Sequence, residues 1–307
     1  MQRQRTLKDS FSVEGKGLHT GLHLHASFHP TSENFGIKIQ RTDVMDMPVI
    51  DVLAENVCET QRGTVVCNGD VKVSTIEHAI ASLYASGIWN CLIKIDGPEF
   101  PILDGSALPY VQEILRTGIR EQDAEQSELI VTKPISFVDE HSGSSITIEP
   151  ADKFSVCVLT DYHSPVLPAS EAFMDDISHF NDTIAASRTF VFVREIEPLF
   201  KLGKIKGGDL DNAIVIYDRI LSQDSLDRLA DLIGVEHINA EQLGYLNHRP
   251  LVWDNECARH KLLDLLGDLA LIGMPVVGKV TATRPGHTIN NKFARIVRQT
   301  ILNQTNS

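Results

Sequence analysis

The sequence predicts an α+β fold, and three observations support that prediction. Strand-like and helix-like patterns occur in groups along the chain instead of alternating regularly, which is typical of α+β proteins. A length of 307 residues exceeds what one ordinary core needs and suits two domains. A hydrophobic content of 42%, with 22% charged residues, is typical of a globular chain that buries a substantial core.

The first half of the chain contains two predicted strands and two predicted helices. Residues 22–29 alternate between apolar and polar, as a half-buried strand does. A helix is predicted from about 75 to 86, a strand over 91–95 and a second helix over 107–117.

A polar, charge-rich segment, residues 120–128, separates that second helix from the next strand-like pattern. It is predicted to be a linker, which divides the chain into one domain over residues 1–122 and another over 123–307. The second domain again mixes strands and helices. Strands are predicted over 129–138, 144–150, 154–162, 211–218 and 278–284, and helices over 256–272 and from about 290 onward.

Charge and cysteine content exclude several classes of protein. A net charge of −13 argues against nucleic-acid binding, which needs an excess of Lys and Arg over a contiguous surface. No stretch approaches the roughly 18 apolar residues of a membrane span, and the first residues lack the apolar region of a secretory signal, so we expect a cytoplasmic protein. The five cysteines are scattered and predict neither a disulfide framework nor a zinc ribbon.

The predicted helix over residues 256–272 is apolar almost all the way round, yet it carries His260, Asp264 and Asp268. Residues four apart lie above one another on a helix, so His260 and Asp264 are placed to bind one ion. The alternative is structural: the polar side chains pair with each other or with Lys261 and have no chemical role.

A Glu-His pair, Glu77 and His78, stands near the start of the predicted helix over 75–86. Ser74 followed three residues later by Glu77 has the spacing of a capping box, which needs no catalysis but leaves His78 unexplained. If His78 joins His260 and Asp264, a zinc ion has three protein ligands and a fourth position open to water, as in catalytic sites. Glu77 would then act as the general base.

Two further residues can complete a hydrolytic site. His287, in a loop after a predicted strand, is a candidate to protonate a leaving amine or stabilise an oxyanion, with Asp268 orienting its ring. Thr189 offers a hydroxyl to the same oxyanion. Isolated loop histidines and threonines are more often structural, so these roles depend on the metal site.

Other metal-binding residue types have simpler explanations. His23 and His25 have H-x-H spacing but alternate with apolar residues, which places them on the outward face of a strand. Cys257 precedes His260 by three residues and is a rival ligand, but a lone cysteine in an apolar helix more often packs as a small hydrophobe.

Seven ordered motifs across nearly the whole chain resemble those of one family, the UDP-3-O-acyl-N-acetylglucosamine deacetylases of lipid A synthesis. The motifs are QRTLKDSFSVEGKGLHTG, STIEHAIASLYASGI, GPEFPILDGSALPYV, SRTFVF, GGDLDNAIV, HKLLDLLGDLALIG and GHTINNKFA. The resemblance implies two β-α-α-β sandwich domains packed through their helical layers, with the active site at their junction. It also implies a small β insert in the first domain and a β-α-β insert, at about 194–218, that forms an apolar passage for the acyl chain.

The resemblance assigns the same chemistry that the residues suggest. It implies one Zn²⁺ per chain, with Fe²⁺ as an alternative, held by His78, His260 and Asp264. The further matches are Glu77 as general base, His287 as cationic acid, Asp268 as its support, Thr189 as oxyanion donor, and Lys261, Leu18, His19, Phe190 and Phe192 as substrate contacts.

Two features depart from many family members. Residues 218–254 form a longer segment before the metal-binding helix, as in a subgroup that is fused to a hydroxyacyl dehydratase domain; such a domain, fused or separate, is therefore an expected partner. A basic nucleotide contact expected near Ser144 and Ser145 is missing.

Three functional hypotheses follow. The first is zinc-dependent hydrolysis of the N-acetyl amide of an acylated UDP-glucosamine. The second is a non-catalytic module that binds a nucleotide sugar or an acyl group. The third is a zinc amidohydrolase acting on another amide, which is less favoured for peptides because the chain has no HExxH motif.

Overall fold

The computed structural model describes residues 2–246 and 248–305, and within them it has the predicted α+β composition. The helices are α1 (Glu77–Ala85), α2 (Leu108–Thr117), α3 (Phe180–Thr183), α4 (Val193–Lys201), α5 (Gln223–Ile233), α6 (Glu256–Ala270) and α7 (His287–Thr305). The first ten strands are β1 (Arg3–Leu7), β2 (Phe11–Lys16), β3 (His23–Pro30), β4 (Ile37–Arg41), β5 (Val49–Asp51), β6 (Val57–Glu59), β7 (Val65–Asn68), β8 (Val71–Val73), β9 (Cys91–Ile95) and β10 (Ile119–Glu125). The other strands are β11 (Leu129–Ile130), β12 (Ile135–Asp139), β13 (Ser144–Glu149), β14 (Ser155–Thr160), β15 (Ser170–Met174), β16 (Phe190–Phe192), β17 (Ile214–Tyr217), β18 (Gly244–Tyr245), β19 (Val276–Val277) and β20 (Lys279–Thr283).

Two five-stranded sheets of similar plan form the framework. One has the order β2-β3-β9-β4-β5 and the other β12-β13-β20-β14-β15, and each contains one parallel pair among antiparallel ones. Strand β3 explains the H-x-H spacing of His23 and His25. Leu24 and Ala26 are buried, whereas the two histidines face solvent. The histidines alternate with the core residues, as predicted.

Contacts between helices join the first half of the chain to the second half. Helix α2 packs on α1 and β2, α6 packs on β14 and β15, and α7 packs on β12, β13 and α6. Helices α1 and α6 pack directly against each other. Because Glu77 and His78 are on α1 and His260, Asp264 and Asp268 are on α6, this contact assembles the candidate site.

A glycine permits that contact. A Cβ atom added at Gly267 of α6 would lie 2.3 Å from the backbone oxygen of Glu77, closer than any real Cβ contact. The two helix backbones therefore approach at a distance that only glycine allows at this position.

Replacing Gly267 with Ala should therefore destabilise the protein and displace the start of α1. We expect the free energy of unfolding, measured by urea denaturation, to fall by about 1–3 kcal/mol, the usual cost of overpacking a core. The matched control is Gly244→Ala, where an added Cβ meets nothing within 4 Å. Equal stability of the Gly267 variant and the parent would contradict this account of the contact.

One linker prediction and one strand prediction were wrong in detail. The polar residues 120–128 are not a linker without secondary structure, because β10 covers most of them and pairs antiparallel with β1. Most of the side chains of β10 are exposed, so the strand lacks the apolar alternation that would have revealed it. The strand predicted over 129–138 is two strands, β11 and β12, with Pro134 in the gap, where its missing N–H cannot join a ladder.

A β-α-β unit with parallel strands runs from β16 through α4 to β17 and overlaps the range of about 194–218 predicted for an insert, whose role as an acyl passage stays a prediction. The longer segment, residues 218–254, adds α5 and the short strand β18, which pairs with β17. The division of the chain at residue 122 stays a prediction. Among the described residues, no helix is both long and apolar enough to cross a membrane.

Candidate active site

The start of α1 differs from the predicted capping box. The helix begins at Glu77, and the hydroxyl of Ser74 donates to the backbone oxygen of Pro98 instead of capping the helix. Thr75, between them, has a φ of +57°, which is unusual for a β-branched residue and breaks the helical path. The side chain of Glu77 is therefore not used as a helix cap, and this backbone strain lies at the candidate site.

Three side chains from α1 and α6 converge on one point. The Nε2 atoms of His78 and His260 lie 3.8 and 3.4 Å from Oδ1 of Asp264. All three side chains are at least 95% buried. Their ligand atoms lie within 4.8 Å of one another, a spacing that a single metal ion can bridge.

The hydrogen bonds around these groups fix their orientation. The Nδ1 atom of His260 lies 3.1 Å from the backbone oxygen of Ser187, so that nitrogen carries the proton and Nε2 keeps its lone pair toward Asp264. Lys261 donates to Oδ2 of Asp264 at 2.6 Å. The other oxygen, Oδ1, is left facing the Nε2 atoms of the two histidines.

Burial sets the protonation states that a cation requires. Burial, followed by the neighbouring His260, lowers the pKa of His78 to about 3, and burial also lowers the pKa of His260. Burial alone would raise the pKa of Asp264, but His260 and Lys261 outweigh it and hold the carboxyl ionised. Two neutral imidazoles and one carboxylate form the donor set of catalytic zinc sites, so these residues fit the ion that the sequence implies.

Glu77 and His287 lie beside the three ligand residues, since a ligand atom of each is within 4.8 Å of the Asp264 carboxylate. One carboxylate oxygen of Glu77 accepts a hydrogen bond from the backbone N–H of Thr64 at 3.1 Å. Burial, together with Asp264, raises the pKa of Glu77 to about 7 against the lowering effect of His287. A carboxylate with a pKa near neutrality has the properties of a general base.

His287 is held as a cation by Asp268. Its Nδ1 atom donates to Oδ2 of Asp268 at 3.0 Å, and its Nε2 atom lies 3.9 Å from Oδ2 of Asp264. Burial alone would lower the pKa of His287, but Asp268 outweighs it and raises the pKa to about 9. An imidazolium cannot bind a metal ion, so His287 is suited to donating a proton rather than to ligation.

The space between these side chains opens into a cleft of about 470 Å³. Leu18, Thr189, Phe190 and Lys261 line it, and the ammonium of Lys261 lies 5.4 Å from the centre of the Phe190 ring. A smaller cavity of about 80 Å³ shares Leu18, Thr189 and Phe190 with the cleft and has mostly apolar walls.

Two of the residues predicted to contact the substrate lie outside the cleft itself. His19 lines the smaller cavity, and its buried Nδ1 atom has no hydrogen-bond partner among the residues that the structure describes. Phe192 is buried against Tyr162 and Phe190 and lines neither space, so its ring supports Phe190 from behind. Cys257 packs in the same apolar cluster as Phe192, in agreement with its reading as a small hydrophobe.

Comparison with known proteins identifies the family of this chain. Residues 4–233 and 235–299 match the family described as UDP-3-O-acyl N-acetylglycosamine deacetylase. The chain belongs to this deacetylase family.

The most similar relatives include both bifunctional and single-function members. The bifunctional enzyme LpxC/FabZ of Bacteroides thetaiotaomicron is 61% identical over 301 residues, which cover 98% of this chain and 65% of that protein. The protein of the same name from Porphyromonas gingivalis is 54% identical, with the same coverage. The UDP-3-O-acyl-N-acetylglucosamine deacetylase of Myxococcus xanthus is 36% identical, covering 96% of this chain and 86% of that protein. The chain thus spans about 65% of the length of the bifunctional relatives, and the predicted resemblance to a fused subgroup is confirmed.

Sequence reasoning missed several residues of the candidate site. Thr64 donates its hydroxyl to Oδ1 of Asp268 at 2.5 Å, and Asn290 donates to Oδ2 at 2.9 Å. Arg62 and Arg284 bring cationic side chains to the wall of the cleft. Thr64 and the two arginines lie in loops outside any periodic pattern. Asn290 lies three residues after His287 on α7, a spacing that was missed because His287 was predicted in a loop and the helix was predicted to begin at about residue 290.

Proposed function

We propose that this chain is a zinc-dependent deacetylase that hydrolyses the N-acetyl amide of UDP-3-O-(hydroxyacyl)-N-acetylglucosamine, giving the free amine and acetate, in the committed step of lipid A biosynthesis. The observation that carries the proposal is the convergence of His78, His260 and Asp264 between a buried carboxylate, Glu77, and a buried imidazolium, His287. The family description and the name of the Myxococcus relative supply the substrate class.

His78, His260 and Asp264 would hold the metal ion, with Fe²⁺ as an alternative to Zn²⁺. When bound, the ion would supply Lewis acidity to the amide carbonyl and favour ionisation of the attacking water. The space between the three side chains opens into the cleft. This suits a catalytic site, in which one coordination position stays open to water or substrate.

The other residues divide the proton transfers. The Glu77 carboxylate accepts the proton of the attacking water, and Nε2 of His287 donates a proton to the leaving amine. The hydroxyl of Thr189 and the ammonium of Lys261 line the same cleft and stabilise negative charge on the amide oxygen.

The cleft and the smaller cavity suit the two ends of such a substrate. Arg284, together with Arg62, which also pairs with Glu195 at 2.8 Å, offers a guanidinium group, which binds phosphate oxygens well, so we place the nucleotide in the cleft. This would replace the basic contact that is missing near Ser144. The apolar cavity beside Leu18 and Phe190 would take the first part of the acyl chain.

The pH dependence of kcat should have two limbs. Activity should fall with decreasing pH as Glu77 protonates, at about pH 7 or lower because a bound dication favours the carboxylate. It should fall at high pH as His287 loses its proton near pH 9. The Asp268→Asn variant removes the anion that raises the pKa of His287, so its alkaline limb should move to lower pH. An unchanged alkaline limb in this variant would contradict the role of Asp268.

A deacetylation assay with and without a chelator tests the proposal. We expect the metal-loaded protein to release acetate from UDP-3-O-acyl-N-acetylglucosamine and the chelated protein to release none. A metal-loaded protein that binds this compound without cleaving it would support a non-catalytic binding module. Cleavage of other amides alone would support a different amidohydrolase.

The location and partners of the chain are also proposals. A nucleotide-sugar substrate suggests a cytoplasmic enzyme, with no nucleic-acid partner. The bifunctional relatives suggest a hydroxyacyl dehydratase, fused or separate, as a functional partner.

A further inference from the structure

A second apolar cavity, of about 160 Å³, lies within the insert and the longer segment that follows it. Its walls include Val193 and Ile196 of α4, Val215 of β17, and Leu226, Leu229 and Ala230 of α5. Helix α5 belongs to residues 218–254, the segment whose purpose the sequence does not explain. The cavity therefore exists only because this segment is present.

The second cavity adjoins the first. Ile196, Leu210 and Val215 line both spaces, so their side chains separate the two. The first cavity in turn shares Leu18, Thr189 and Phe190 with the metal-binding cleft. Three spaces thus follow one another from the metal ligands to α5, and they become more apolar along the way.

The second cavity is mostly apolar but only partly enclosed, because the exposed residues Glu236 and His248 are among those that line it. Covering its apolar walls would remove them from water, which is favourable by about 25 cal/mol per Å² of apolar surface. The space is therefore suited to a hydrocarbon group.

We propose that this second cavity receives the distal methylenes and the methyl end of the substrate's acyl chain, so that α5 selects acyl length. The proposal rests on the proposed function and deepens it. The acyl chain would enter through the first cavity and pass between Ile196 and Leu210. The volume corresponds to about five water-sized groups, and a methylene is of similar size.

The polar residues in the lining of the second cavity set an upper limit on length. Glu236 and His248 are among the lining residues, and both are exposed. A chain long enough to reach them would bury polar groups or emerge into water, and neither is favourable. Affinity should therefore rise with acyl length, reach a maximum, and then level off or fall.

The test measures binding of a series of UDP-3-O-acyl-glucosamines, the deacetylated products, with acyl chains stepped by single methylenes. In the parent protein each methylene that enters the second cavity should tighten Kd by about fourfold, the equivalent of ~0.8 kcal/mol. Calorimetry should also give a more negative heat-capacity change with each step.

Two opposite variants and one control assign that effect to α5. Ala230→Phe fills the cavity, so the longer chains should lose the gain while the shorter chains bind as before. Leu226→Ala enlarges it, so the preferred length should increase, and this variant decides the question if Ala230→Phe fails to fold. The control is Leu232→Phe, which adds the same ring on the same helix at a position that is 40% exposed.

The outcomes separate this inference from the proposed function. Identical chain-length profiles in the parent and in the folded variants would overturn the role of the second cavity and leave the deacetylase proposal intact. If no member of the series binds and no acetylated substrate is cleaved, the proposed function itself fails.

Discussion

Replacing Glu77 with Gln is expected to lower kcat by about 10²–10⁴-fold, the usual contribution of a general base, while the bound metal stays in place. The amide keeps an oxygen that accepts from the backbone N–H of Thr64, so the fold around it should be preserved. The glutamine amide cannot take a proton from water. Rates measured on metal-loaded protein, together with metal analysis of the same sample, check this prediction.

The control for this substitution is Glu113→Gln, which changes a partly exposed carboxylate on α2 that pairs with Arg116. That variant should keep parental activity. A Glu77→Gln enzyme with nearly parental kcat would remove Glu77 from the role of base. Loss of metal would instead make its carboxylate part of the binding site.

Replacing His287 with Ala is expected to lower kcat by a similar factor, about 10²–10⁴-fold. The change removes the imidazolium that faces Asp264 and leaves Asp268 with Thr64 and Asn290 as hydrogen-bond partners. Metal content should not change, because a histidine with a pKa of about 9 is not a ligand at neutral pH. The alkaline limb of the pH profile should disappear with the side chain.

A surface histidine provides the matched control. His179 also contacts a carboxylate through Nδ1, at 2.7 Å from Asp175, but both side chains are about half exposed. His179→Ala should leave kcat and the pH profile unchanged. If the His287 variant lost its metal, the prediction of a proton donor would be wrong and His287 would be a ligand.

Sequence reasoning located most of the elements that carry the site. The sequence predicts that α6 is buried and that His260, Asp264 and Asp268, spaced four residues apart, lie near one another on it. Both predictions are possible because helical geometry fixes which residues share a face. The partner pair on α1 was visible only as a motif. Its distance from α6 depends on Gly267, whose close approach to the Glu77 backbone is a tertiary feature that no local pattern encodes.

The failures have physical reasons of the same kind. Ser74 and Glu77 have the spacing of a capping box, but the positive φ of Thr75 between them prevents the helix from starting early enough. Strand β10 is exposed on most of its length and therefore has no hydrophobic signature. The hydrogen bond from Thr64 to Asp268 joins residues 204 apart in the chain, so only the fold brings them together.

Metal analysis of the purified parent protein and of two α6 variants, Asp264→Ala and Asp268→Ala, tests directly whether His78, His260 and Asp264 hold a metal ion. We expect one metal ion per chain in the parent, almost none in Asp264→Ala, and near-parental content in Asp268→Ala, because Asp268 contacts His287, Thr64 and Asn290 rather than the three proposed ligands. If the parent bound no metal, or if the Asp264→Ala variant kept it, the proposed metal site would be wrong.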